Sequence, residues 1–159
     1  MQKVTPFLWF DTQAEEAATF YTSIFKNSKI THVSRYDAES AKVSGQQEGT
    51  AMVVAFELDG QQFSAINGGP QFKFSEAVSF VINCENQEEI DHYWNSLSAD
   101  PASEQCGWLK DKYGLSWQVV PTSLGELMSD PNTSPKVMQA LLQMKKIIIA
   151  DLEKAKNDN

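Results

Sequence analysis

Histidine, cysteine and paired carboxylates are the residue types that hold metals or act as nucleophiles and bases, and this sequence offers few of them in a useful pattern. Its two histidines, His32 and His92, lie in no recognisable motif. Its two cysteines, Cys84 and Cys106, are 22 positions apart, far from the CxxC spacing of zinc and redox sites. We therefore expect surface roles for the histidines and free thiols for the cysteines.

The net charge of the sequence limits the kinds of partner that the protein can bind. The 159 residues carry 13 Lys and Arg against 21 Asp and Glu, a formal net charge of −8, and the longest basic run is Lys145-Lys146. This balance argues against binding to nucleic acid or to an anionic membrane. No apolar stretch reaches the roughly 18 residues that span a bilayer, and residues 1–6 lack the pattern of a secretory signal. We expect a cytoplasmic protein that binds small molecules or other protein chains.

An internal repeat organises the chain. Residues 12–24 lie over residues 85–97, 73 positions further on, and share an acidic pair, an aromatic pair, a serine and a final aliphatic residue. Both copies place apolar residues at the spacing of a helix stripe that packs on a sheet. Two glutamates follow a capping candidate in each copy, Asp11 or Thr12 in the first and Asn86 in the second. The repeat predicts two equivalent helices.

Strand candidates surround both predicted helices. They are apolar runs bounded by turn residues, namely 6–10, 29–36, 51–58 and 61–67 in the first copy and 79–83, 106–109 and 115–120 in the second. Asp59-Gly60 is a strong hairpin signal. Aligning Gly60 with Gly114 sets Ser64 over Gln118, and the spacing falls to 54 positions. The second copy therefore lacks part of a strand.

Two segments lie outside the repeat. Residues 37–50 are rich in Ser, Gly, Gln and Glu, which predicts an exposed loop. Residues from about 135 to 156 keep a helical period of apolar positions, which predicts one C-terminal amphipathic helix. That helix would pack on the protein's own core or on a second subunit.

Several phrases of the sequence resemble a known family. They are Thr5-Pro6-Phe7-Leu8-Trp9-Phe10-Asp11, Glu15-Glu16-Ala17 with Phe20-Tyr21, Asn67-Gly68-Gly69-Pro70, Asp91 with Tyr93-Trp94, Cys106-Gly107-Trp108-Leu109-Lys110-Asp111 and Tyr113-Gly114-Leu115-Ser116-Trp117-Gln118. They are similar to the PhnB-like branch of the vicinal oxygen chelate superfamily, which includes glyoxalase I, bleomycin-resistance proteins and extradiol dioxygenases. This branch often carries the label 3-demethylubiquinone-9 3-methyltransferase domain.

The resemblance implies a fold and a partner. We expect a single α+β domain over residues 1–159, built from two tandem βαβββ-type modules, residues 1–67 and a shortened 75–121, followed by the C-terminal helix. Because the superfamily commonly completes its cups across a two-fold interface, the resemblance also implies a homodimer.

Metal-using members of the superfamily supply His or Glu ligands from four inward positions. The resemblance places these at Pro6, or Thr5 if the register slips, and at Ser64, Ser79 and Gln118. Proline has no donor atom there, and serine and amide groups are poor ligands for borderline divalent cations. The resemblance therefore implies a cavity with no metal and no other cofactor.

The side chains in phase with those positions predict a small-molecule pocket, apolar with a few hydroxyl and amide groups. The predicted lining, with Asn67 and Trp108 at the rim, is Leu8, Phe10, Ser64, Asn67, Ser79, Trp108 and Gln118. Alternation along the strands adds Ile66, Val81 and Ser116 to the same face. Cys106 stands near the expected mouth, either as a half-buried structural thiol or as a catalytic group without a nearby histidine to activate it.

Three functions remain open at this stage. The first is a metal-free small-molecule-binding protein, like the antibiotic-sequestering members of the superfamily. The second is an enzyme that acts on a small molecule through Gln118, a serine or Cys106, or through a metal held by other groups. The third is a methyltransferase acting on a quinone-like phenol, although the sequence lacks the Gly-rich strand-to-helix turn of a classical nucleotide site.

Overall fold

The computed structural model describes residues 1–158, and its backbone contacts divide the chain into two compact units. The first unit is Met1–Lys73, and the second begins at Phe74. The division falls in the connector between the two copies of the repeat. Within the described residues, no helix is both long enough and apolar enough to cross a membrane.

The first unit is a βαβββ module with one added helix. Its elements in chain order are β1 (Phe7–Phe10), α1 (Ala14–Ile24), β2 (Lys29–Arg35), α2 (Ala38–Ser44), β3 (Ala51–Leu58) and β4 (Gln61–Asn67). The strands form one sheet in the order β1-β4-β3-β2, with β1 parallel to β4 and the other pairs antiparallel. All four strands lie where the sequence predicts them.

Helix α1 covers one face of this sheet. The fully buried ring of Tyr21 stacks on Phe56 of β3, and Phe56 stacks on Phe63 of β4 with centroids 5.5 Å apart. These aromatic side chains alternate along their strands with residues that point to the opposite face. We call the face opposite α1 the far face of the first sheet.

The predicted loop over residues 37–50 contains helix α2, which the composition of this segment did not reveal. Asp37 and Ser40 form a capping box, in which the Asp37 side chain accepts from the Ser40 N–H at 2.7 Å. Gly45 ends the helix with φ of 75°, a conformation that glycine adopts without steric cost. This capping pair is the sequence signal for the helix.

The second unit repeats the module with one strand fewer. Its first part consists of β5 (Ser79–Cys84), α3 (Gln87–Leu97), β6 (Trp108–Lys110) and β7 (Ser116–Pro121). The sheet order is β5-β7-β6, with β5 parallel to β7. Asn86 caps α3 as predicted, accepting from the Glu89 N–H at 2.9 Å. The predicted α+β architecture, with a shortened second module, is therefore confirmed.

The C-terminal segment forms three helices, α4 (Leu124–Leu127), α5 (Ser134–Leu142) and α6 (Ile149–Asn157). The expectation of one continuous helix over residues 135–156 is wrong, because the chain between α5 and α6 pairs with another segment. The carbonyls of Met144 and Lys145 accept hydrogen bonds from the N–H groups of Cys106 and Gly107, both at 2.8 Å. A continued helix would use those carbonyls internally.

Candidate functional site

Three of the predicted pocket residues lie together on the second sheet. Gln118 of β7 is the register partner of Trp108 on β6, and Ser79 of β5 is the register partner of Ser116, two positions before Gln118. Paired residues point to the same face of a sheet, and so do alternate residues of one strand. These four side chains therefore share one face.

The opposite face of the second sheet belongs to the core. Ile82, Trp117 and Val119 alternate along their strands with the four side chains above, which we call the polar set. These three residues are buried, and α3 packs on β5 and β7. The polar set consequently lies on the face turned away from α3, which we call the far face of the second sheet. Lys110 of β6, the register partner of Ser116, adds a charged side chain to the same face.

The far face of the second sheet carries an unusual hydroxyl. The Gln118 Nε2 group donates to Ser79 Oγ at 2.9 Å, so these two side chains fix each other. Ser116 is 1 % exposed, and its Oγ has no hydrogen-bond partner among the described residues. A buried hydroxyl without a partner costs about 1–3 kcal/mol, a cost that a polar group of a bound molecule can offset.

The charge beside this hydroxyl is already neutralised. Lys110 forms an ion pair with Glu76, and the hydrogen bond from Lys110 lowers the pKa of the Glu76 carboxyl below its usual value. The far face of the second sheet therefore holds the buried Ser116 hydroxyl and presents the partly exposed Ser79 hydroxyl, an amide, an indole ring and a paired ammonium. Such groups hold and orient a polar molecule by hydrogen bonding and stacking.

In the first unit, the structure separates the predicted residues. Ser64 is the register partner of Phe7 and lies on the far face of the first sheet. Leu8 and Phe10 are 6 % and 4 % exposed and pair with Ala65 and Asn67, on the face that α1 covers. The expectation that Leu8 and Phe10 share a face with Ser64 is therefore wrong, because a register one residue away reverses the direction of every side chain.

Asn67, predicted at the rim of the pocket, is buried in the first unit and connects several of its segments by hydrogen bonds. It is 3 % exposed, and its Oδ1 accepts from the Ala14 N–H at 2.8 Å. Its Nδ2 donates to the Ala51 carbonyl at 3.0 Å, and its own carbonyl accepts from the Tyr36 hydroxyl at 2.6 Å. Asn67 thus supplies the helix cap that was expected from Asp11 or Thr12. Its side chain also borders a cleft of the first unit.

The residues at the four positions where the resemblance implies metal ligands do not fit a transition metal. Ser79 and Gln118 are hydrogen-bonded to each other, and Ser64 and Pro6 add a hydroxyl and a ring without a donor atom. Between Met1 and Asp158 no three His, Cys, Asp or Glu side chains are grouped so that they could hold a metal ion. We derive no chemical step through a metal.

The two cysteines differ in accessibility. Cys84 is fully buried, and its burial, together with the charge of Glu89, raises the pKa of its thiol to about 12. Cys106 is half-buried, adopts a positive φ of 51° and accepts a hydrogen bond from Gln105 Nε2 at 3.3 Å. Its backbone N–H takes part in the pairing of residues 106–107 with residues 144–145.

We expect dithionitrobenzoate to modify one thiol per native chain at about pH 8, because only the thiolate reacts. With a pKa of about 12, Cys84 is a thiolate in about one molecule in ten thousand at that pH. Released thionitrobenzoate, measured by absorbance, should show one equivalent for the native protein and two in denaturant. The Cys106→Ser variant should show none when native. Two fast equivalents from the native protein would contradict the burial of Cys84.

Comparison with known proteins agrees with the fold described above. A family model described as 3-demethylubiquinone-9 3-methyltransferase matches residues 2–120. The PhnB protein from Bacillus cereus is 40 % identical, covers 76 % of this chain and 100 % of its own, and superposes with a TM-score of 0.64. The protein PA1353 from Pseudomonas aeruginosa is 16 % identical, with a TM-score of 0.58 over 76 % of this chain and 98 % of its own.

The fosfomycin resistance protein FosX from Listeria monocytogenes is 15 % identical, with a TM-score of 0.50 over 79 % of this chain and 98 % of its own. None of the curated proteins matches the sequence. The fold places the chain in the same structural class as these solved proteins. Within that class, the chain belongs to the 3-demethylubiquinone-9 3-methyltransferase-like (PhnB) family.

Proposed function

We propose that the protein binds a small organic molecule at the far face of the second sheet, without a resident transition metal. The observation that carries this proposal is the buried Ser116 hydroxyl without a partner, beside the bonded Ser79 and Gln118 side chains. Trp108, the register partner of Gln118, offers an indole ring on the same face.

The groups present select a class of ligand. Hydroxyl and amide groups recognise a hydrogen-bonding head, and an indole ring favours an aromatic or amphipathic body. Lys110 is held by Glu76, so the site has no free charge that demands a strongly ionised ligand. A phenol or a quinone-like molecule has these properties. Neither Ser79, Ser116 nor Gln118 is paired with a histidine or carboxylate that would activate it, which favours binding over catalysis.

Native mass spectrometry of protein purified without added metal or chelator tests this proposal. It reads subunit number, bound metal and retained small molecules in one measurement. We expect a homodimer that carries an organic mass and no metal. One transition metal per subunit that survives dialysis would overturn the metal-free proposal. A monomer at micromolar concentration would overturn the homodimer, which we propose because members of the superfamily commonly form dimers.

We propose the cytoplasm as the location of the protein, because of the sequence's acidic balance and unpaired cysteines.

Replacing Ser79 with leucine should weaken binding of para-nitrophenol by about tenfold, because the larger side chain removes a hydrogen bond and fills the face. The absorbance of the phenol, which changes when its hydroxyl is hydrogen-bonded, reports the titration. Ser129→Leu is the matched control, since Ser129 is exposed and lies outside the sheet. Equal affinities of the two variants would show that the phenol binds elsewhere.

The name of the family favours a second candidate, a methyltransferase that acts on a quinone-like phenol. That activity requires binding of a methyl donor, which isothermal titration with S-adenosylmethionine measures directly. Saturable binding with one donor per chain, followed by methyl transfer to a phenol, would establish it. No heat of binding at millimolar donor would eliminate it.

A further inference from the structure

A cleft lies wholly within the first unit, and its lining includes none of the residues assigned above to the far faces of the two sheets. It is a cleft of about 590 Å³ bordered by residues 11–12, the end of α2 with residues 45–47, Thr50 and residues 67–71. This volume is within the range of about 300–1,000 Å³ that is typical of small-molecule sites. No function proposed above uses this cleft.

Backbone and side-chain hydrogen bonds hold its walls in place. The Asp11 carbonyl accepts from the Gly69 N–H at 3.3 Å and from Gln46 Nε2 at 3.5 Å, which ties the connector and the segment after α2 to the loop before α1. The Thr50 hydroxyl donates to the Gln47 carbonyl at 2.7 Å. The cleft is therefore built before a ligand arrives, which reduces the entropy that binding costs.

Four polar side chains around the cleft are not used by this framework. The Asp11 carboxylate, the Thr12 hydroxyl and the amides of Gln47 and Gln71 line the cleft, and none of them is hydrogen-bonded to another group in residues 1–158. Together they offer donors and acceptors from both walls. A ligand with several polar groups can use them without displacing a protein hydrogen bond.

The electrostatic character of the cleft is negative. Asp11 is the one charged side chain in the lining, and no Lys, Arg or His is among the lining residues. Gly45, in the lining, caps the C-terminal end of α2, where the helix dipole favours positive charge. Arg35, which donates to the Gly49 carbonyl at 3.3 Å, is engaged by Glu15 at 2.9 Å. These features disfavour an anion.

We propose that this cleft is a second ligand site, which binds a small protonated amine that also carries hydroxyl groups. The ammonium lies against the Asp11 carboxylate, and the hydroxyls exchange hydrogen bonds with Thr12, Gln47 and Gln71. Pro70 is the one apolar side chain of the lining, so a purely apolar molecule would leave the polar side chains of the cleft without partners.

Three sugars of one size and different charge test the proposal: glucosamine as the cation, glucose as the neutral molecule and glucuronate as the anion. Backbone amide NMR of the full chain should show shifts at Gly45, Gln46, Gly69 and Gln71. Glucosamine should bind about threefold to fivefold more tightly than glucose, the advantage expected of one partly exposed charge pair. Glucuronate should bind least.

Two variants locate the charge. Asp11→Asn should reduce the affinity for glucosamine to that for glucose and leave glucose binding unchanged. Asp59→Asn makes the same charge change in the turn between β3 and β4, outside the cleft, and should leave both affinities unchanged. Gln47→Ala, at an exposed side chain, should weaken both sugars and provides a second variant if Asp11→Asn folds poorly.

Several results would overturn the proposal. These are the absence of shifts at the cleft with glucosamine, equal affinities for all three sugars, or equal effects of Asp11→Asn and Asp59→Asn. If the amide chemical shifts of the cleft residues change with sodium or magnesium chloride as strongly as with glucosamine, the cleft is an inorganic cation site instead. None of these outcomes depends on the far face of the second sheet.

Discussion

Replacing Asn67 with alanine is expected to lower the free energy of unfolding by about 2–5 kcal/mol, the largest effect among the first unit's polar residues. The change removes the acceptor of the Ala14 N–H and the donor to the Ala51 carbonyl. Both groups lie in the buried centre of the unit, and each loss leaves a desolvated polar group that costs about 1–3 kcal/mol. Chemical denaturation in urea, monitored by circular dichroism, measures the change.

The matched control is Asn83→Ala, which truncates an exposed asparagine of β5 and should cost less than about 0.5 kcal/mol. Hydrogen exchange gives a local readout, since the Ala14 amide should exchange faster in Asn67→Ala than in the parent protein. Similar unfolding energies for the two variants would mean that Asn67 does not hold the helix to the sheet.

Replacing Asp111 with alanine should destabilise the protein by about 3–5 kcal/mol. Asp111 is 3 % exposed, and its carboxylate organises the turn between β6 and β7. Its Oδ1 accepts from the N–H groups of Tyr113 at 2.8 Å and Leu115 at 3.1 Å, and its Oδ2 accepts from Trp117 Nε1 at 2.9 Å. Hydrogen bonds to a charged group contribute about 1.5–3 kcal/mol each, and shared partners make the sum less than additive.

Asp100→Ala is the control for this prediction. Asp100 is an exposed aspartate whose carboxylate accepts one hydrogen bond, from the Ala102 N–H at 3.1 Å, and loss of that carboxylate should cost about 1 kcal/mol or less. Tryptophan fluorescence should also shift in Asp111→Ala, because the indole N–H of buried Trp117 loses its acceptor. An unchanged emission spectrum together with unchanged stability would refute the role of the carboxylate.

The sequence repeat predicted the elements well because it combined two independent copies of each signal. Apolar periodicity located both helices, and Asp59-Gly60 located a hairpin, since these signals are local. The helix caps show the limit of local signals. Asn86 caps α3 from the adjacent position, whereas α1 is capped by Asn67, which is 53 residues away in the chain.

The face to which alternate side chains of a strand point could be predicted in the second module and not in the first. The offset of 73 positions from Pro6 placed Ser79, and the hairpin alignment with Ser64 placed Gln118. Their register puts Ser79, Ser116 and Gln118 on one face of the second sheet, as predicted. In the first module, β1 pairs Phe7 with Ser64, so Phe7 and Trp9 share that face instead of Leu8 and Phe10. Both alternating sets are apolar, so hydropathy alone does not distinguish the two faces.

The missing partner of Ser116 and the cleft beside α2 depend on tertiary structure. The alternation rule placed Ser116 on the correct face, but only the packing around it leaves its hydroxyl without a partner. The cleft joins three segments, residues 11–12, 44–50 and 67–71, that no motif connects. The break between α5 and α6 likewise follows from pairing with residues 106–107.

The position of the first strand in each sheet has a consequence for how the chain folds. β1 and β5 stand at sheet edges, and each pairs in parallel with the last strand of its own module. During synthesis, Phe7–Phe10 must wait without a partner until Ser64 and the residues after it have left the ribosome. Such late closure slows folding, because the ends of a long loop must meet. Because each first strand pairs within its own module, the duplication replaces one closure over the whole chain with two shorter closures.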